Sequence, residues 1–264
     1  VAAKARGRDR MQAFDKLTTM VDGHRRIVPD PPLVVPISDL LPEVARGELE
    51  SAVRVLLTRY GHTLASDRQM LLHSYEFIDM ARKVVGVGSV GTRCWIVLLR
   101  GRDDNDPLFL QIKEAQRSVV AEYGSADPAE PGYASEGERV VAGQRLMQAA
   151  SDIFLGWETI EGIDGQVRDF YVRQLRDWKG SFAVESAVPS GLCLYGEICG
   201  WTLARAHARS ADRIAIAAYL ADEAGDFARA IARFAEAYAD QNERDHAALA
   251  EAIRTGRLSA AAVP

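Results

Sequence analysis

Gly86, Gly88 and Gly91 stand at G-x-G-x-x-G spacing within Val84-Val85-Gly86-Val87-Gly88-Ser89-Val90-Gly91-Thr92-Arg93. A loop of this composition has few side chains in the way. The backbone N–H groups of Gly86, Val87, Gly88, Ser89 and Gly91 can therefore close on a phosphate. The run after the loop decides between phosphate-binding folds. A dinucleotide fold or a P-loop opens a helix at the last glycine. Here that run is Cys94-Trp95-Ile96-Val97-Leu98-Leu99, whose β-branched and aromatic residues favour a strand. No Lys-Ser/Thr pair closes the loop, and no convincing acidic residue ends a following strand. The pattern predicts a glycine-rich hairpin, strand–loop–strand.

Lys113 is the second candidate, on a predicted strand through Leu110-Gln111-Ile112-Lys113. A lysine projecting under a glycine loop neutralises a phosphate as a point charge. It then wants a carboxylate from the next helix, and Glu138, at that helix's predicted start, is the candidate. Glu114 is adjacent on the strand and points to the opposite face. The same lysine on a sheet edge would instead oppose edge-to-edge association. Further along, Phe170-Tyr171-Val172-Arg173-Gln174-Leu175-Arg176-Asp177-Trp178-Lys179 offers Arg173, Asp177 and Lys179 as charges at a cleft rim, or as a strand ending in a charged turn. His207 and Asp212 resemble a helix end followed by a catalytic loop, but with no asparagine at the expected distance they read rather as charges at a helix end. Tyr238, Asp240, Gln241, Asn242 and Asp245 could ligate a metal or form a polar helix face, and no metal site is assigned to them. The chain has no H-E-x-x-H, no C-x-x-C and no Ser-His-Asp elbow.

The elements that position these residues emerge from periodicity and turn chemistry. A helix is predicted over 2–21, ended by Gly23. Two extended segments, 26–28 and 33–37, flank Pro29-Asp30-Pro31-Pro32 as a short hairpin or a pair of edge strands. Helices come next over 43–60 and from Ser66, the second carrying Met70, Leu71, Tyr75, Ile78 and Met80 inward up to the glycine loop. Strands are predicted over 94–99 and 108–115, a surface loop over 124–137 and a helix over 138–151. Two more strands, 153–157 and 170–175, flank the turn at 162–165. Helices are predicted over 192–208, 213–220, 227–240 and 244–253. The class is α+β. Its parts are a helical segment with a short hairpin (1–83), an antiparallel sheet lobe with the glycine hairpin and one inserted helix (84–181), and a helical C-terminal part (182–264).

Composition limits the partners. A chain of 264 residues buries a sizeable core. Its formal charge of -5 gives no reason to expect a nucleic acid or an anionic membrane. Cys94, Cys193 and Cys199 are odd in number and lack metal-ligand spacing, which suggests reduced thiols in a cytoplasmic protein. No segment is apolar and long enough to span a bilayer.

The wording of several stretches adds to their spacing. Val84–Leu99 (VVGVGSVGTRCWIVLL), Asp106–Ala115 (DPLFLQIKEA), Arg139–Leu155 (RVVAGQRLMQAASDIFL), Phe170–Ser181 (FYVRQLRDWKGS) and Leu203–Asp212 (LARAHARSAD) resemble the bacterial DUF2252 family through essentially the whole chain. That family has no assigned function, and its similarity to protein and aminoglycoside kinases implies a kinase-like, phosphotransferase-like fold. The resemblance implies ATP or a related nucleotide with Mg²⁺, cradled at Gly86–Gly91 with Lys113 on the phosphates. Arg173 and Asp177 would lie where kinase-like folds read adenine. Ala142 stands where an acidic residue might have paired Lys113, which leaves Glu138. Full-length relatives are expected to carry a G-D-x-H-x-x-N-F segment and an N-D-F-D-E run before the glycine loop. This sequence has neither, so the resemblance implies a chain truncated at its N-terminus, inactive alone, whose catalytic residues and unknown acceptor lie beyond it. The alternative is a non-catalytic module that holds a small molecule or a protein on a kinase-like scaffold.

Overall fold

The apolar run after the glycines becomes the middle of a sheet. The computed structural model describes residues 14, 17–41, 46–84, 91–124, 132–162, 164–175, 182–221 and 224–260. Strands β1 (Thr18–Val21) and β2 (His24–Ile27) form a separate antiparallel pair. Six further strands form an antiparallel sheet: β3 (Val34–Pro36), β4 (Glu76–Lys83), β5 (Cys94–Arg100), β6 (Pro107–Ala115), β7 (Gly156–Glu161) and β8 (Val167–Gln174). Their order is β3-β4-β5-β6-β8-β7. The class is α+β, as expected.

Between the strands lie α1 (Ile37–Leu40), α2 (Arg46–Gly61), α3 (Ser66–His73), α4 (Val119–Tyr123) and α5 (Glu136–Met147). Strand β5 is apolar on both faces because both are covered. On one face Val97, Leu99, Leu108, Leu110, Ile112 and Val172 pack against Val53 and Tyr60 of α2 and Leu72 of α3. On the other, Ile96, Leu98, Phe109 and Ala81 pack against Phe14, Ile27 and Val34. Asp79 ties this second layer down. Its buried carboxylate accepts from the Ile27 and Met80 N–H groups, both at 2.9 Å, and lies 3.7 Å from Arg26.

Several expectations are corrected here. The segment 18–21 is a strand and not the end of a helix. Asp22 and Gly23 both take positive φ, 50° and 76°, and form the tight turn of the β1–β2 hairpin. Of the two readings of the proline-flanked segments, the single hairpin fails and the pair of edge strands holds, since β2 pairs with β1 and β3 is the outer strand beside β4, with an isolated Asp30–Val34 bridge between them. The helix from Ser66 stops at His73, its N-cap is Ala65, and no side chain caps it. Tyr75, Ile78 and Met80 therefore lie outside that helix, the latter two on β4, and Met70 is exposed.

The chain forms two compact units, Val1–Ala206 and His207–Pro264. Its C-terminal helices are α6 (Pro189–Ser210), α7 (Arg213–Ala221) and α8 (Ala224–Arg254). The two helices expected over 227–240 and 244–253 are one. On α8, Phe227, Ile231, Phe234 and Tyr238 recur at helical spacing as an exposed apolar stripe. No described helix is long and apolar enough to cross a membrane.

Candidate functional site

Antiparallel pairing puts directly opposed residues on one face of a sheet. Lys113 lies opposite Cys94 on β5 and Tyr171 on β8, and Gln111 lies opposite Ile96 and Arg173. Cys94, Gln111, Lys113 and Arg173 therefore share a face, the one that carries Phe109 and Ile96. Strand β6 has neighbours on both sides, so Lys113 is not an edge lysine. Glu114 faces the other way, where its Oε2 accepts from Arg93 N at 2.9 Å and Arg93 Nη1 at 3.3 Å.

Gln111 is the hub of this group. It is 4 % exposed, its Oε1 accepts from Arg173 Nε at 3.3 Å and Nη2 at 3.2 Å, and its Nε2 donates to Cys94 Sγ at 3.7 Å. Burial pushes the Cys94 thiol up from its ordinary value; Lys113, the Gln111 amide, Lys83 and Arg173 pull the other way. Among the described residues, neither Lys113 nor Arg173 makes an ion pair with a carboxylate.

Helix α5 lies on the same side, over β7 and β8. Gly137 packs against Trp157 and the Phe170 backbone, and the Arg145 guanidinium lies 5.9 Å from the Trp157 ring centroid. Glu136 N donates to Asp169 Oδ2 at 2.8 Å, and Thr159 Oγ1 donates to Asp169 Oδ1 at 2.7 Å. The helix begins with a capping arrangement. Ser135 Oγ accepts from Glu138 N at 3.1 Å, and Glu138 Oε2 accepts from Ala134 N at 2.7 Å. The Glu138 carboxylate is thus engaged at the helix start, and no hydrogen bond or ion pair joins it to Lys113.

The remaining candidates divide cleanly. Gly86, Val87, Gly88 and Ser89, like Asp177 and Lys179, lie outside the described residues. Gly91 has φ +86°, with open space where a Cβ would stand. The strands on either side of the glycine segment, β4 and β5, pair antiparallel. Arg173 sits within β8 beside Gln111. Asp212 Oδ1 accepts from Ile214 N and Ala215 N at the start of α7, and His207 is exposed near the end of α6. Gln241 and Asp245 bond to each other along α8 at 2.7 Å. Among the described residues no three His, Cys, Asp or Glu side chains gather as a metal site.

Sequence reasoning passed over Gln111, although a lone amide between Leu110 and Ile112 on a central strand is a visible anomaly. A cavity of about 290 Å³ lies at the other end of β5, lined by His24, Arg25, Glu76 and Arg100 among others. Arg100 pairs there with Glu76 at 2.7 Å, and Arg25 stacks on Phe14 at 4.4 Å and donates from Nη1 to Thr18 Oγ1 at 3.3 Å, while its buried Nε has no hydrogen-bond partner among the described residues.

No curated protein and no solved structure matches this chain. Residues 1–252 match the family described as an uncharacterized protein conserved in bacteria, DUF2252. With nearly its whole length matched, the chain belongs to the DUF2252 family.

Proposed function

We propose that this chain is a nucleotide-binding domain of kinase-like, phosphotransferase type, with ATP or a related nucleotide held between the glycine segment and β6. One observation carries the reading. Lys113 is a half-buried residue on a central strand, without a carboxylate partner among the described residues. A phosphate placed against this lysine gains a charge partner that no described carboxylate competes for. The element order agrees: strand, glycine segment, strand, lysine-bearing strand, helix, two strands, then helices. Lys113 and Arg173 fit the phosphate chain of such a ligand. Magnesium, which the reading also implies, finds no ligand set among the described residues, so no step is assigned to it. Transfer would proceed by positioning and electrostatics, toward an acceptor this chain does not identify. The reading places the protein in the cytoplasm, in keeping with its three unpaired cysteines.

Calorimetry with ATP, with and without Mg²⁺, tests this on the wild type and on Lys113→Ala. Loss of one charge-assisted contact should weaken binding about tenfold to a hundredfold. Absence of ATP binding by the wild type, or equal binding by the variant, would overturn the reading.

A further inference from the structure

Resting on that reading, we propose that Gln111 is a positioning residue that holds Arg173 beside Lys113. The two cations then form one seat for a polyphosphate, so the phosphate end of the ligand lies over β6 and β8. This differs from the sequence expectation, which put Arg173 at an adenine-reading rim.

Three features of the structure carry the proposal. The first is register. With Lys113 opposite Tyr171 and Gln111 opposite Arg173, the two cations are diagonal neighbours on one face, about 7 Å apart at the backbone. The second is the way Arg173 is held. A guanidinium held by a carboxylate has its charge cancelled. Here Nε and Nη2 both donate to the neutral Gln111 Oε1, so the fork is fixed while its full charge remains. Nη1 has no hydrogen-bond partner among the described residues. The third is that Gln111 is itself anchored. It is buried, and its amide nitrogen is occupied by Cys94 Sγ, which sets the direction of its oxygen. A buried amide that immobilises a cation without neutralising it suits an anion that arrives from outside. Two such cations side by side suit adjacent phosphoryl groups better than one isolated phosphate.

The decisive variant is Gln111→Glu. It keeps an oxygen where Arg173 donates, and in fact strengthens that contact, but it cancels the charge. A purely structural role for Gln111 predicts no loss of binding. The seat predicts that affinity for ATP and for inorganic tripolyphosphate each falls about tenfold to a hundredfold, while the melting temperature holds or rises. Arg173→Gln, which leaves the buried pair in place, should lose the same affinity and serves if Gln111→Glu does not fold. If Lys113→Ala weakens ATP binding while Arg173→Gln binds ATP and tripolyphosphate like the wild type, the seat is refuted and the nucleotide reading stands. If the wild type binds tripolyphosphate but not ATP, the nucleotide reading fails, and the seat stands only where Arg173→Gln loses that binding and is refuted where it does not. If it binds neither, both fail.

Discussion

Gly137 offers the sharpest test of how α5 is set against the sheet. A Cβ there would lie 2.4 Å from Phe170 O, 3.0 Å from Trp157 Cβ and 3.1 Å from Phe170 C. Two of these atoms are backbone of β8, paired to β6 and β7, so no rotamer change relieves the clash. Either α5 lifts or β8 yields. Overpacking of this kind costs up to about 3 kcal/mol, and the better helix propensity of alanine returns about 1 kcal/mol, so Gly137→Ala should lose about 2 kcal/mol. Gly143, on the same helix, has nothing within 4 Å of its would-be Cβ. There only the propensity acts, and Gly143→Ala should gain about 0.5–1 kcal/mol. Urea unfolding of both variants, compared by midpoint at unchanged slope, measures the pair. The emission of Trp157, which the lifted helix would expose, should shift to the red in Gly137→Ala alone. A Gly137→Ala variant as stable as the wild type, or the two substitutions moving stability in the same direction, would refute this packing of α5.

Asp79→Ala should cost about 2–3 kcal/mol, because two backbone donors lose a buried charged acceptor. Hydrogen exchange should rise first at 18–27, and uniform protection there would contradict the tether. Tyr60→Phe should cost about 1–2 kcal/mol in thermal melts, since the buried hydroxyl donates to the Phe154 carbonyl and its loss leaves that carbonyl unpaired. Burial raises both the Cys94 thiol and the Tyr60 hydroxyl above their ordinary values. The native state therefore keeps protons that the unfolded chain gives up. Their contribution is fully present below the unfolded values, about 8.5 and 10, and is lost as pH rises above them. Urea midpoints at pH 7, 9 and 10.5 should fall in that order, and Cys94→Ala should flatten the first interval; a wild-type midpoint constant to pH 10.5 would rule this out.

The strands at the centre of the fold were legible because burial on both faces demands continuous apolar residues. Cys94 to Leu99 and Leu108 to Ile112 have no other comfortable state. Strand β4 was not legible, and its bulge explains why. The register slips between Phe77 and Asp79, so apolar residues stand at 77, 78 and 80 instead of alternating. That spacing imitates a helix. Asp22-Gly23 carried the hairpin in plain view, but Phe14, Leu17 and Val21 before it also fit helical spacing. In α8 the polar stretch from Asp240 to Asp245 looked like a break. It is instead held by side-chain bonds one turn apart, Gln241 to Asp245 and Arg244 to Gln241. For the site, the face of Lys113 and the opposite face of Glu114 came from strand alternation alone. The place of Arg173 did not, because its opposition to Gln111 across 62 residues is set by tertiary register.

The acids around Lys113 and Arg173 bear on the proposed seat. A carboxylate set against Lys113 or Arg173 would cancel the charge that the proposed seat needs. Acids are at hand on that side of the sheet, yet each is directed elsewhere. Asp169 takes Thr159 and the first turn of α5; Glu136 pairs with Arg139 on its own helix; Glu138 accepts from Ala134 N. Every one of these contacts fixes α5 to β8 or shapes its start. The same acids that hold the scaffold in place therefore leave the two cations without a carboxylate among the described residues. Cations left without a carboxylate keep their full charge for an incoming anion. Gln111 extends the logic one step, since an amide restrains Arg173 where a glutamate would have silenced it.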